Sequence, residues 1–495
     1  MHSVGQSERW LSVKRNSAAE PPGLHVTAQQ LSARDAVFVY EEHQRHPANI
    51  AAAYVFDRSR GAVTPFGTEQ VHAWVRDRLG HSPIFHRRLA RIPGDLDLPY
   101  WVPDAGFRLA DHVTLNGPEV FDWDEIRRRI AAIASTRMDL SRPPWEIHIF
   151  ERVARFPGYP AVTVVVLKFH HSAADGMGTR TLESKLFGAV DIPPAPTVDH
   201  HSWSESTALL RSAGLLPYRC VRFVAGLIRT RRAARAAAAS VAAKALYEPI
   251  AHRPATRFNH AVRSELVFDL IPIPLRAVLD LKAAMPGRTT VNDLMLAVIS
   301  GALDAYLRER GETPAASLGA MVPMSMRGTA RWNSANQLCL MSVDLHTDIA
   351  DSLSRLQAIQ VSARREKERW ANAYVLRREA RLHTSPAWLL RLVGWVRAQQ
   401  SFDDIETVPL VNTTISNVPP VTERLEFLDL PGVSAFGVLP VFDGDGLRHL
   451  VSSQGEELWI SVSADSKMMP DLEHYGELLR GSFRQLAEAA GSLGE

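Results

Sequence analysis

Cysteine is almost missing: Cys220 and Cys339 are the two in 495 residues. A disulfide framework is therefore excluded, a reducing compartment is expected, and no CxxC pair or Cys/His spacing offers a zinc site. Charge of one sign is equally lacking. Lys and Arg number 56 against 54 acidic residues, a net charge of +2, which argues against a dedicated nucleic-acid binder. No window approaches the roughly 18 to 20 uncharged apolar residues that a membrane span needs. Ala161 to Leu167 is too short, and the alanine-rich stretch is broken by Arg235 and Lys244. The first 25 residues hold Arg9, Lys14, Arg15 and Glu20 and no apolar signal-peptide core, so a cytoplasmic protein is expected. Short-period repeats are absent as well.

With 46% hydrophobic and 22% charged residues, the composition is that of a globular chain, long enough for two or three cores. Its most informative segment runs from Val162 to Gly176. A β-branched apolar stretch, Val162 to Phe169, reads as a buried strand that delivers His170, His171, a three-residue turn, Asp175 and Gly176. Neighbouring strand side chains point to opposite faces, so the two histidines cannot share one cavity: one is available for chemistry while the other packs or hydrogen-bonds. Asp175 is near enough to fold back, and Gly176 is expected to permit a turn that a Cβ would resist. The bland alternative is a satisfied histidine pair at a strand end. A second pair, His200-His201 before Glu205, follows the prolines 193, 194 and 196, and no strand delivers it. A metal site from His170, His171 and Asp175 is disfavoured because adjacent strand histidines diverge and no HExxH helix is present.

The chain divides by composition into a flexible tail over 1–27, a mixed domain over 28–190, a proline-rich linker and basic helical crossover over 191–255, and a second mixed domain over 256–489. Residues 205–250 read as helical, with Arg219, Arg222, Arg229, Arg231, Arg232, Arg235 and Lys244 among apolar residues. The plain reading is a helix packed between domains; the sharper one is a basic amphipathic helix touching anionic lipid. A second candidate of the same kind runs from Arg364 to Gln399. Val291 to Leu307 reads as a helix that Asn292 or Asp293 caps.

The HHxxxDG pattern at 170–176 resembles that of acyltransferases and condensation domains of the chloramphenicol acetyltransferase type. Other segments narrow the resemblance to the bacterial wax ester synthase/diacylglycerol acyltransferase family. Leu31-Ser32 through Asp35 and Phe38 looks like that family's opening, and Phe85 to Leu89, Trp101-Val102 and His112-Val113 follow in its order. Met138 to Glu146 is similar to its LDxxxPLWE segment, with Pro144 for the usual leucine. Asn292 to Ala297 resembles NDVVLA, Pro323 to Arg327 resembles PVSxR, and Ile415 to Pro419 resembles SNVPGP. The resemblance covers about residues 28–488. Pro420 stands where the family has glycine, and Ser452 to Gly455 lacks its tyrosine; both departures bear on the acceptor pocket.

The resemblance implies an α/β (α+β) fold of two chloramphenicol acetyltransferase-like sandwich domains joined by the helical crossover, with the active site between them. It implies His171 as general base, taking a proton from an acceptor hydroxyl that attacks an acyl-CoA carbonyl, with no acyl-enzyme. His170 and Asp175 are supporting, Asp175 through an arginine, and Gly176 shapes the turn. Asn292, Ser416 and Asn417 are candidates for oxyanion or substrate positioning; their plain readings are a helix cap and a turn. Long-chain acyl-CoA is a substrate, so no cofactor is implied, and the acceptor is diacylglycerol or a long-chain fatty alcohol. The expected place is the cytoplasm, peripheral on the inner membrane face or on lipid droplets. The competing readings are a condensation-type enzyme fed by a carrier-protein thioester and a non-catalytic acyl-lipid binder.

Overall fold

A computed structural model describes residues 23–491 apart from 60–63, 190, 249–251, 286, 331, 403–408 and 421–422. Its frame is two six-stranded mixed sheets. The first runs, edge to edge, Glu426–Phe427, Leu430–Val438, Asn49–Asp57, Tyr159–His170, Trp145–Phe156 and Val113–Asp122. The second runs Leu266–Pro274, Glu457–Asp465, Leu447–Gln454, Thr413–Asn417, Gly319–Ser325 and Leu338–Asp344.

The strand Tyr159–His170 is central because both of its faces are apolar. Val165, Leu167 and Phe169 join one core with Trp145, Phe85 and Phe187. Val162, Val164 and Val166 join another with Trp123, Ile126 and Phe150. An uninterrupted apolar run is what burial on two faces requires, whereas a sheet with one wet face alternates. That second core also takes in Phe268, Leu270 and Trp459 from the other sheet. The helix Trp123–Ser135, capped by Asp122, packs there, and its Arg127 pairs with Asp269 at 2.9 Å. The second sheet has its own core around the helix Val291–Glu309, where twelve residues are buried. Its start is capped by Thr290, in a capping box with Asp293, so Asp293 takes part in the cap and Asn292 does not.

The two halves interleave. Leu430–Val438 lies within the expected second unit, yet it pairs with Asn49–Asp57 in the first sheet. The segment beside it inserts Phe427, fully buried, among Trp74, Phe56, Phe66 and Phe187, with ring centroids 4.8 to 6.5 Å away.

Two local expectations are corrected. Residues 1–22 of the expected tail lie outside the described residues, but His25–Val26 pairs in parallel with Thr197–Val198 of the proline-rich segment, which ties tail and linker together. Arg364 to Gln399 is not one helix: it comprises the end of Ser352–Ala371, Ala373–Glu379, a 3-10 turn over Ala380–Thr384 and Ala387–Ala398. Extended backbone at Asn372, Ser385 and Pro386 breaks it; at Ser385 the proline that follows disfavours the helical region. The crossover, in contrast, is a single helix, Glu205–Ala242, continuing through Pro217.

Phe427→Ala should destabilise the whole protein by about 3–5 kcal/mol, the usual cost of emptying a large aromatic site. Urea unfolding reads this as a lowered midpoint. An unchanged midpoint would mean that the 426–438 segment does not complete the first core.

Candidate active site

His170 ends its strand opposite Asn49, and the backbone N–H of His171 donates to Ala48 O at 2.7 Å. The chain then turns, Ala173 N–H bonding His170 O at 2.9 Å, and enters the helix Gly176–Phe187. The two rings part company at this point. His170 is fully buried; its Nδ1 accepts from the Ser172 hydroxyl at 2.6 Å and the Ser172 N–H at 3.2 Å, while Nε2 faces Glu42 at 3.7 Å. These bonds hold the turn.

His171 points instead to the junction between the halves. Its ring stacks on Phe38, with centroids 4.2 Å apart and planes 7° from parallel. Its Nδ1 lies 2.8 Å from Asn336 Oδ1. The amide of Asn336 has no freedom to flip, because its Nδ2 donates both to His171 O at 2.8 Å and to Asp35 Oδ1 at 2.9 Å. Both of those partners are acceptors only, so the nitrogen must face them and the oxygen must face the imidazole. Nδ1 therefore carries the proton, and Nε2 is left with its lone pair. Nε2 has no hydrogen-bond partner among the described residues and, unlike His170 Nε2, is not sealed from solvent. Burial pushes the His171 pKa down to about 4, against upward pulls from its own backbone and from Asn336. The imidazole is thus neutral throughout the physiological range.

Asp35 makes this arrangement possible. It sits in the first turn of the helix Ala33–Glu41, capped by Ser32, and Phe38 follows on the same face one turn later. Its buried carboxylate accepts from the Ser32 hydroxyl, the Ser334 hydroxyl, the backbone N–H groups of Ala335 and Asn336, and the Asn336 amide, at 2.7 to 3.1 Å. The helix is itself held closely. Gly394 of Ala387–Ala398 packs on it so tightly that a Cβ there would lie 2.1 Å from Tyr40 O.

Asp175 has an architectural part. It caps the helix Gly176–Phe187 through Gly178 N–H at 2.8 Å, and it receives both guanidinium nitrogens of Arg327, at 2.7 and 2.8 Å, and the N–H of Gln337 at 3.0 Å. Burial pushes its pKa upward, but the hydrogen bonds from Arg327, Gln337 and Gly178 outweigh this and hold it below the usual carboxylate range. None of its bonds reaches the His171 ring. Gly176 corrects an expectation: a Cβ there would meet nothing within 4 Å, and its φ is not positive, so the turn does not require glycine.

The remaining candidates are placed differently. Ser416 and Asn417 end the strand Thr413–Asn417, partly buried and parallel to Gly319–Ser325. The ladder between these strands stops at Met321 and Thr414, so both exits lie at the same sheet end, the one from which Arg327 reaches Asp175. Asn292 lies in the first turn of its helix and bonds neither the cap nor the His171 cluster. Trp145 is a core residue, its Nε1 donating to Phe85 O at 3.1 Å, and Glu146 holds the buried Lys168 at 3.3 Å. Asn336 was not found from sequence. It sits in a polar loop, Asn333 to Gln337, where no spacing distinguishes it from a surface turn.

The description of the wax ester synthase/diacylglycerol acyltransferase catalytic domain matches residues 31–295, and that of the WS/DGAT C-terminal domain matches residues 334–487. A Mycobacterium tuberculosis H37Rv protein, whose assigned name is that of a diacylglycerol O-acyltransferase, is 29% identical over 474 residues, covering 93% of this chain and all of the relative. Among solved structures, the wax ester synthase/diacylglycerol acyltransferase of Marinobacter aquaeolei VT8 superposes with a TM-score of 0.63 at 20% identity, over 94% of this chain and all of that one. The condensation domain of the monacolin K polyketide synthase MokA shares the fold at a TM-score of 0.52 and 10% identity, over 94% and 98%. The family descriptions span the strand with His171, the Asp35 helix and the Asn336 loop alike, and the chain belongs to the wax ester synthase/diacylglycerol acyltransferase family.

Proposed function

We propose that this acyltransferase moves a long-chain acyl group from acyl-CoA to the hydroxyl of diacylglycerol, or of a long-chain fatty alcohol, with His171 as general base. The observation that carries the reading is the pinned tautomer: Asn336 holds Nδ1–H and leaves Nε2 free to accept a proton. In the reaction, Nε2 takes the hydroxyl proton as the alcohol oxygen attacks the thioester carbonyl. The tetrahedral oxyanion collapses, the carbon–sulfur bond breaks, and the same nitrogen returns the proton to the CoA sulfur. Both substrates are present together, so the base never needs to hold an acyl group. The name of the mycobacterial relative favours diacylglycerol as acceptor and triacylglycerol as product.

Contact with a lipid surface is supported by two neighbouring helices. Tyr218, Val221, Val224 and Ile228 make an exposed stripe on Glu205–Ala242, and Trp388, Leu392, Trp395 and Val396 make another on Ala387–Ala398. Phe223 and Trp388 meet between them, with centroids 6.4 Å apart. No helix among the described residues is long and apolar enough to cross a membrane, so the association proposed is peripheral. Exposed large apolar side chains in such a row, with arginines alongside, fit an interface helix.

The first test is CoA release from palmitoyl-CoA with diacylglycerol, hexadecanol or no acceptor. Release should depend on an acceptor, and His171→Ala should abolish it while the fold is kept; substantial turnover by that variant would place the base elsewhere. The pH profile gives a second test. A base must be unprotonated, so kcat/KM should hold steady as pH falls through 6.5 and decline only as it approaches about 4. An acid limb at the ordinary histidine value would contradict the buried, neutral imidazole. Asn336→Ala removes the acceptor that fixes the tautomer. By analogy with other histidines that lose their orienting partner, kcat should fall about 10²- to 10⁴-fold with little change in KM. A change in KM alone would assign Asn336 to substrate binding.

A further inference from the structure

A cavity of about 790 Å³ lies outside the His171 cluster, between the crossover helix Glu205–Ala242 and the segment Tyr374 to Thr384. Five arginines line it: Arg222, Arg229 and Arg232 from the helix, Arg377 and Arg381 from the facing segment. Arg222 and Arg229 are two turns apart on one stripe, and Arg377 and Arg381 are one turn apart on the other side. Small residues lie between them. Gly226 lets the walls close, since a Cβ there would lie 2.3 Å from Thr384 Oγ1, and Ala233 is buried beside it.

What marks this cavity is the convergence of five solvent-exposed arginines on one concave wall. None of Arg229, Arg232, Arg377 and Arg381 has an ion pair or side-chain hydrogen bond among the described residues, and Arg222 bonds only to His383 O, at 3.3 Å. Of the lining residues, His383 has a buried and unpartnered Nε2; Arg34, behind the lining and stacked on Trp332, has Nε and Nη2 in the same state. The carboxylates acting on Arg34 are Glu379 and Asp35, and Asp35 is committed to the 334–336 loop. Burial, then the charges of Arg34 and Arg222, depress the His383 pKa, with a smaller opposing pull from Asp35. Several guanidinium groups lining one cavity form a site for a strong multivalent acceptor, and they match phosphate oxygens in geometry as well as charge.

The cavity also abuts the catalytic cluster. Trp332 lies 6.2 Å from the His383 ring, and the Arg34 guanidinium stacks 3.8 Å over Trp332. Arg34 immediately precedes Asp35, which holds Asn336 and through it His171. We infer that the arginine-lined cavity binds phosphate esters, either the phosphates of the acyl-CoA donor or the headgroup of an anionic phospholipid. This inference rests on the acyltransferase reading for its choice of ligands, although the charge arrangement does not depend on it.

The test compares wild type with Arg229→Gln/Arg377→Gln/Arg381→Gln, and with a control, Arg231→Gln/Arg235→Gln, which removes exposed charge from the same helix outside the cavity. Calorimetric titration with CoA and flotation with phosphatidylcholine vesicles, with and without phosphatidylglycerol, give the two readouts. Loss of several charge-assisted contacts should weaken binding about tenfold or more, and more so at low salt. A fall in CoA affinity, with KM for palmitoyl-CoA raised and kcat kept, assigns the cavity to the donor. A fall confined to phosphatidylglycerol vesicles assigns it to a headgroup. Unchanged binding in both, or an equal loss in the control, overturns the inference. Because binding is read without turnover, an inactive wild type that binds CoA through these arginines would refute the proposed reaction and leave the phosphate site standing.

Discussion

Two buried carboxylates, each satisfied by donors from the far half of the chain, govern this structure. An ionised carboxyl group taken out of water must recover its lost hydration through hydrogen bonds, or the site does not form. Asp35 and Asp175 both come from the first half, and the segment from Arg327 to Gln337 supplies donors to both. One stretch of backbone is thus clamped at two points, on either side of the turn that carries His171. The clamp brings the halves together and seats Asn336 against the imidazole in the same act. Positioning of the His171 ring is therefore not a separate device added to the fold but follows from satisfying two charges.

The same constraint explains what could be read from sequence. Val162 to Gly176 was legible because a doubly buried strand must be continuously apolar, and because two histidines, an acid and a glycine at its exit are rare by chance. Asp35 and Phe38 were visible as family markers, although their part in holding the base was not. Asn336 left no trace, since a buried hydrogen-bonding loop and a solvated turn draw on the same small polar residues. The interleaving of Leu430–Val438 was equally hidden: its apolar pattern fits either sheet, and nothing local says which edge it joins. The long helix expected from Arg364 to Gln399 failed for a readable reason, because Ser385-Pro386 was present to break it. Gly176 misled in the opposite direction, as glycine invites an argument from backbone freedom that its helical setting does not need.

The partner chosen for His171 sets how readily its ring takes up a proton. A carboxylate bonded directly to Nδ1 would stabilise the imidazolium and raise the pKa. Here the carboxylate of Asp35 stands one residue removed, and the neutral amide of Asn336 intervenes, transmitting orientation without placing full charge on the ring. Burial against Phe38 then outweighs the upward pulls of the hydrogen bonds and of the Asp175 charge, and the His171 pKa is pushed down to about 4. In the proposed role His171 is a weak base, and it cannot ionise an alcohol before attack begins. It is suited to removing a proton that becomes acidic only as the carbon–oxygen bond forms, so that proton transfer and attack proceed together. The weakness has a return. A low pKa makes the imidazolium a strong acid once formed, ready in the proposed reaction to protonate the departing thiolate, and it keeps the resting imidazole uncharged. Under the proposed function that neutrality is a gain, because a charged imidazole would hold water where an acyl chain and a lipid alcohol would meet.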